Sequence, residues 1–363
     1  MEYFSEEAAM GGHPRVKIVV DAMGGDFAPA NEVKGAIEAL RESNNAFGVI
    51  LVGREELIRK HMADQKVQDL SLSVIHADDV ITMEDSPTAA VKQKKGSSLA
   101  VGITIHKEGK ADAFVSAGNT GAVLSAATLI LGRIKGVSRP TIGAFFPSET
   151  GVCLLLDAGT NVDCRPQHLY EFAVMGSIYA RKIFKYENAA VGLLNVGEEE
   201  TKGNEIVKET FKLLKASSLN FHGNVEGRDI LKGKVQVVVC DGFVGNAILK
   251  FGESVPSFLK AKLTAYAEKS FVQKSLLGLV RGALRDVLKE MDYEEYGGVP
   301  VLGVNGVTII GHGKSTPKAI KNMILKAAEV ADTHLNRHIE EALAGGGSQR
   351  VLANDTITLP AHP

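Results

Sequence analysis

Cysteine is scarce in this chain of 363 residues, and the three present, Cys153, Cys164 and Cys240, lie too far apart to read as a metal cluster. An odd count with no secretion signal fits a reducing cytosol and excludes a disulfide framework. Residues 1–14 lack the basic start and apolar centre of a signal peptide. No apolar run approaches the roughly 20 residues that a membrane-spanning helix needs. Neither sign of charge dominates, with 41 Lys and Arg against 43 Asp and Glu. That balance argues against a dedicated nucleic-acid binder and leaves room for a local basic patch. Internal repeats and linker-like stretches are also missing from the middle of the chain. The expectation is a cytoplasmic protein with an extension over 1–14, one α/β unit over 15–344, and a loose tail over 345–363 after Gly345-Gly346-Gly347-Ser348.

Within that unit, short β-branched runs alternate with segments of helical period. Strands are predicted at 16–20, 49–52, 72–75, 113–116, 141–146, 152–156, 191–195, 235–240 and 307–310. Their continuous apolarity predicts a mostly parallel sheet covered by helices on both faces. Val33, Ile37 and Leu40 mark one helix; Pro166 opens another, with Leu169, Phe172, Gly176, Tyr179 and Ile183 on its stripe. The pattern breaks over about 254–295, where only helical sequence occurs. Leu276, Val280, Leu284, Val287 and Met291 share a face there, with Lys274, Arg281, Arg285 and Lys289 elsewhere. This protruding segment reads as a surface helix packed on its own domain or across a dimer, or as an amphipathic element that touches a membrane surface or an acidic partner.

The predicted strands end repeatedly in glycine. Asp21-Ala22-Met23-Gly24-Gly25-Asp26 follows the first strand. It suits close approach by a ligand or, more plainly, a tight turn; it is not the GxGxxG of a dinucleotide site. Ser116-Ala117-Gly118-Asn119-Thr120-Gly121 leads into an apolar helix, where small backbone at a helix N-terminus favours an anion. Helix capping by Asn119 or Thr120 is the plainer reading, and the two roles are compatible. Asp157 to Asn161 and Asn195 to Asn204 are further exits; beside Glu198, Glu199 and Glu200, Lys202 and Asn204 are the better anion ligands. Gly242 to Lys250 sets Asn246 and Lys250 on a helix behind Asp241. Gly311-His312-Gly313-Lys314-Ser315 fails as a P-loop, because that motif's first glycine would fall at Thr308, yet Gly313, Lys314 and Ser315 still suit a smaller anion. Lys92, Lys94 and Lys95 form a basic run that reads as a solvated face or as a means of steering an acidic partner.

Taken in order, Val-Asp-Ala-Met-Gly-Gly-Asp (20–26), Ser-Ala-Gly-Asn-Thr-Gly-Ala (116–122), Asn-Val-Asp-Cys-Arg-Pro (161–166), Gly-Leu-Leu-Asn-Val-Gly-Glu-Glu (192–199), Gly-Asn-Val-Glu-Gly-Arg-Asp (223–229) and Cys-Asp-Gly-Phe-Val-Gly-Asn (240–246) resemble the PlsX family of bacterial phosphate acyltransferases. The resemblance spans about 16–335. It implies a fold similar to the isocitrate and isopropylmalate dehydrogenases and to phosphotransacetylase, usually as a homodimer. It also implies transfer of a fatty acyl group from acyl carrier protein to inorganic phosphate. The acyl phosphate would then serve a membrane glycerol-3-phosphate acyltransferase. The chain departs from the family pattern at Gly96, Gln236 and Lys314.

On this reading neither a cofactor nor a metal is required. Phosphate attacks the thioester directly, cradled by Gly118, Asn119, Thr120 and Gly121 and by Gly313, Lys314 and Ser315, together with Asn246 and Lys250. His312, Asn161 or Lys202 polarises the carbonyl, and Asp241 orients a cationic partner. Asp21, Gly24, Gly25 and Asp26 line the same pocket. Lys92, Lys94, Lys95, Arg281 and Arg285 form the docking surface for the carrier. The protein would sit in the cytoplasm or peripherally at the inner face of the membrane.

Overall fold

The computed structural model describes residues 16–289 and 296–344, the side chains of 285–289 excepted. The chain begins β1 (Lys17–Asp21), α1 (Ala30–Glu42), β2 (Gly48–Gly53), α2 (Glu55–Met62), β3 (Leu72–His76), α3 (Pro87–Gln93), α4 (Ser98–Lys107), β4 (Ala113–Ser116) and α5 (Thr120–Ala126), which runs on into a π-helical turn, Ala127–Leu131. It continues β5 (Thr141–Ile142), β6 (Ala144–Ser148), β7 (Gly151–Leu156), α6 (Pro166–Ile183), β8 (Val191–Leu194), α7 (Glu205–Lys215), β9 (Phe221–Val225), α8 (Asp229–Lys232) and β10 (Val237–Val239). Two long helices follow, α9 (Gly242–Ala267) and α10 (Phe271–Lys289), then β11 (Val299–Leu302), β12 (Val307–Ile310), α11 (Pro317–Asp332) and α12 (Leu335–Ala344).

The α/β class holds, but among the described residues there are two sheets where the sequence pattern predicts one. The first has seven strands in the order β3-β2-β1-β4-β12-β11-β5, and the second has five in the order β6-β7-β10-β8-β9. Most pairings are parallel; β11 is antiparallel to both neighbours, and so is β6 to β7. The predicted run 141–146 is divided at Gly143, where the chain leaves one sheet and enters the other. Every residue of β4 is buried, as befits a strand with helices on both faces. α1 packs against α11 on one face of the first sheet, burying Val33, Ile37 and Leu40. In the second sheet's layer, Leu169, Phe172, Tyr179 and Ile183 of α6 are buried along the predicted stripe. Burying each such side chain contributes about 1.5–3 kcal/mol.

The two sheets are linked at the end of β5. Val299 of β11 pairs with Ile310 at the end of β12, and Val301 pairs with Ile142 of β5. Gly143 donates its N–H to the Pro300 carbonyl (3.2 Å), and Ala158, just past β7, donates to the Ile142 carbonyl (2.9 Å). The β7 exit is therefore tied to the end of β5, which lies two strands from β12 in the first sheet.

Candidate active site

Three predicted loops, from the adjacent strands β1, β4 and β12, meet at the end of the first sheet. The Gly311 N–H donates to the Ser116 carbonyl (2.9 Å), and the Asp26 N–H donates to the Gly313 carbonyl (2.7 Å). Ser116 donates its hydroxyl to Asp21 (2.8 Å) and accepts the Gly118 N–H (3.0 Å). Only glycine fits at 24: a Cβ there would lie 2.7 Å from Asp21 Oδ2 and 2.9 Å from the Gly118 nitrogen. Asp21 is buried, so it organises the loop and is not an open ligand.

Asn119 serves its loop too, which narrows its predicted role. Its side-chain oxygen caps α5 at Ala122, and its amide nitrogen donates to the carbonyls of Thr82, Met83 and Asp85. Thr120 stays exposed at the first residue of α5. Lys314 is exposed and Ser315 buried, with the Ser315 carbonyl accepting from the Asn31 amide (3.0 Å). His312 turns its Nδ1 onto its own loop, where it accepts the Lys314 N–H (3.2 Å).

Beneath this cluster lies a residue the motifs did not single out. Glu32, in the first turn of α1, is 1% exposed, and its Oε2 has no hydrogen-bond partner. Burial, with Asp21 adding to it, pushes its carboxyl up to about 7. Asp21 is raised as well, again chiefly by burial. Two carboxylates held toward their neutral forms make the loop above them more tolerant of an anion.

The second cluster stands at the exits of β7, β8 and β10. Asp157 is fully buried and accepts from the backbone N–H groups of Gly159, Thr160 and Asn161 and from the Asn161 amide (2.6 Å). The other Asn161 amide hydrogen goes to the Pro140 carbonyl (2.8 Å). With both hydrogens committed and the residue buried, Asn161 has none left for a substrate carbonyl. It ties this loop to the segment before β5. That corrects its predicted role.

Asp241 caps α9 by accepting the Val244 N–H (2.9 Å) at one carboxylate oxygen. A Cβ at Gly245 would collide with the Asp157 carbonyl, so the first turn of α9 sits directly on the β7 exit. Asn246 is exposed and faces that exit, its Cβ 3.1 Å from where a Cβ on Gly159 would be. One turn on, Lys250 is exposed and paired with Glu253 (2.8 Å). Such a surface pair is worth about 0–1 kcal/mol, little enough for an incoming anion to displace.

Two of the three glutamates form ion pairs. Glu198 pairs with Lys234 (2.8 Å) and Glu200 with Lys215 (2.7 Å), while the Glu199 carbonyl accepts from the Asn224 amide (3.0 Å) and from the Lys202 N–H (3.1 Å). Asn195 holds the Lys202 carbonyl (3.1 Å), leaving the exposed Lys202 side chain on a loop pinned from two sides. Asn204 caps α7 through Val207 (2.9 Å). In the predicted basic run, Lys92 and Lys95 are exposed. Lys94 instead pairs with Asp85 (2.6 Å) and donates to the Val80 carbonyl, so it fastens the 80–85 loop and leaves the docking face. Arg281 is exposed on α10; the Arg285 side chain and Met291 lie outside the described residues.

A cavity of about 420 Å³ opens on the β8 side of α9, lined by Leu169, Leu193, Val207, Val244 and Ile248 among others, with Asn195, Asn204 and Asp241 also lining it. Cys164 and Cys240 are in its wall. Burial, with Asp157 and Asp241 adding to it, pushes the Cys164 thiol up to about 11 and raises Cys240 well above the ordinary thiol value. Neither is a ready nucleophile at neutral pH. Two positions at which the chain departs from the pattern it resembles have the following surroundings. Gln236 accepts the Ala190 N–H (2.9 Å), and a Cβ at Gly96 would lie 3.3 Å from Asp79, where an aspartate would face a like charge.

Comparison with known proteins bears on the fold and the family. Solved structures of a phosphotransacetylase from Streptococcus pyogenes (TM-score 0.56, 18% identity, 87% of this chain and 94% of that one) and a branched-chain phosphotransacylase from Enterococcus faecalis (TM-score 0.54, 12% identity, 88% and 100%) share the fold. The family model for fatty acid synthesis proteins matches residues 16–338. The phosphate acyltransferase of Chlorobaculum parvum is 49% identical over 336 residues, covering 90% of this chain and 98% of that protein. That of Dictyoglomus turgidum is 47% identical over 330 residues, covering 90% and 98%. The chain belongs to this fatty acid synthesis protein family, the family of the phosphate acyltransferases.

Proposed function

We propose that this acyltransferase moves a fatty acyl group from the thiol of acyl carrier protein to inorganic phosphate. The observation that carries the reading is a pair of glycine-lined exit clusters, one at β1, β4 and β12 and one at β7, β8 and β10, linked through the Ala158–Ile142 hydrogen bond, with Asn246 against the β7 exit and Lys250 one turn on. The phosphate lies between that face and the backbone of 118–121 and 313–315. A phosphate oxygen, about 3 Å from the thioester carbon, forms the new carbon–oxygen bond. The carbon–sulfur bond breaks, sulfur leaves with the bonding pair, and the proton lost by hydrogen phosphate ends on the thiol. Lys202 and His312 are the candidates for stabilising the oxyanion. The high-lying thiols of Cys164 and Cys240 favour direct attack over an acyl-enzyme.

Carrier docking falls to Lys92, Lys95 and Arg281, and a charged patch of this kind acts mainly on encounter rate. α9 and α10 pack together and turn Phe251, Phe258, Phe271 and Leu279 to solvent. Such a surface suits a second copy in a homodimer and transient contact with the membrane where a glycerol-3-phosphate acyltransferase would take the product. The protein then works in the cytoplasm, peripherally at the membrane's inner face. An assay for carrier thiol released only when phosphate is present tests the reading; release that ignores phosphate contradicts it.

A further inference from the structure

We propose that the cavity on the β8 side of α9 holds the fatty acyl chain and sets its length, with the thioester lying over the first turn of that helix. This rests on the acyltransferase reading above. The two faces of α9 differ in chemistry. Val244 and Ile248, four residues apart and so on one face, wall the cavity, whereas Asn246 faces the β7 exit with Lys250 one turn further on. A substrate with a reactive carbonyl at one end of a long apolar chain matches that division.

The walls select for such a group. Leu169 and Leu193 at the back are buried, while Val162, Val196, Ile206 and Val244 are exposed apolar residues on the lining, left uncovered by the protein itself. The acids present, Asp163 and Asp241, repel a free carboxylate or phosphate and tolerate a neutral thioester. The volume, about 420 Å³, is in the range of pockets that enclose small ligands. Gly203 and Asn204 belong to the same lining, next to Lys202, the residue proposed to meet the carbonyl oxygen. A chain entering here presents its carbonyl between Lys202 on the β8 side and phosphate on the β7 side.

Ile248→Phe tests this by shortening the cavity, and Ile248→Ala by enlarging it. The ratio of kcat/KM for hexadecanoyl over butyryl carrier thioester should fall at least about tenfold in the Phe variant, since a mismatch of one methylene already changes discrimination 10- to 200-fold. In the Ala variant, preference should shift toward chains longer than hexadecanoyl. Unchanged ratios in both variants would overturn the assignment, whatever happens to overall activity. A second readout needs no turnover: calorimetric binding of hexadecanoyl-pantetheine without phosphate, seen in the unmodified protein and weakened at least tenfold by Ile248→Phe. Binding that Ile248→Phe leaves intact would overturn the cavity; binding with no phosphate-dependent release would instead overturn the reaction.

Discussion

At the scale of single residues, buried polar groups organise the site while exposed ones are left for chemistry. Asp157, Asn161, Asn119 and Asp21 hold loops; Asn246, Lys250, Lys202 and Lys314 stand at the surface. Alanine at Asn246 or Lys250 should lower kcat/KM for phosphate by at least about tenfold, a loss of about 1.4 kcal/mol, with little change in thermal midpoint. Asn161→Ala should destabilise the fold by about 1–3 kcal/mol, because it strips a donor from buried Asp157; equal denaturation midpoints would refute this. Glu32 gives a pH signature. Its carboxyl is raised from 4.5 to about 7 in the folded state, so the folded protein binds more protons across that window and stability falls as pH rises through it. The penalty grows above pH 4.5 and is complete above 7, at about 3 kcal/mol. Glu32→Gln removes it. The variant should therefore gain about 2.5 kcal/mol on the unmodified protein between pH 5 and pH 8 in denaturant titrations, and a pH-independent difference would count against the burial argument.

At the scale of elements, most strands were legible because parallel strands covered on both faces are continuously apolar. β9 escaped because it carries His222 and Asn224 within a glycine-bearing motif, and β11 because Pro300 interrupts an already short run. The apolar stretch at 141–146 gives no sign that Gly143 divides two sheets; that follows from which edges the halves find. The same limit applies to the site. Each glycine-rich exit is readable alone, but strand order decides that the exits of β1, β4 and β12 are neighbours. Glu32 was invisible because a first-turn glutamate ordinarily serves a helix start in solvent. The α9–α10 pair was legible as helical, though not as two helices with phenylalanines facing outward. If that surface meets lipid, Leu279→Asp, at a position 83% exposed, should abolish co-sedimentation with anionic vesicles and leave thiol release from soluble substrate intact. Unchanged co-sedimentation would remove the membrane role.

At the scale of the whole molecule, two sheets joined at Gly143 carry the proposed phosphate loops on one and an amide, an ammonium and an apolar cavity on the other. The basic positions are correspondingly divided in purpose. Charge reversal at Lys92 and Lys95 should raise the KM for the carrier and flatten its salt dependence, whereas Lys94→Glu should loosen the 80–85 loop by breaking the Asp85 pair. The central claim is that inorganic phosphate itself attacks the carrier thioester, with Asn246 and Lys250 holding it. Its most direct test is the rate of carrier thiol release as a function of phosphate concentration in the unmodified protein and in Asn246→Ala. The account predicts saturable, phosphate-dependent release with acyl phosphate as product, and a much weaker phosphate response in the variant. Release independent of phosphate, or an acyl group trapped on Cys164, would contradict it.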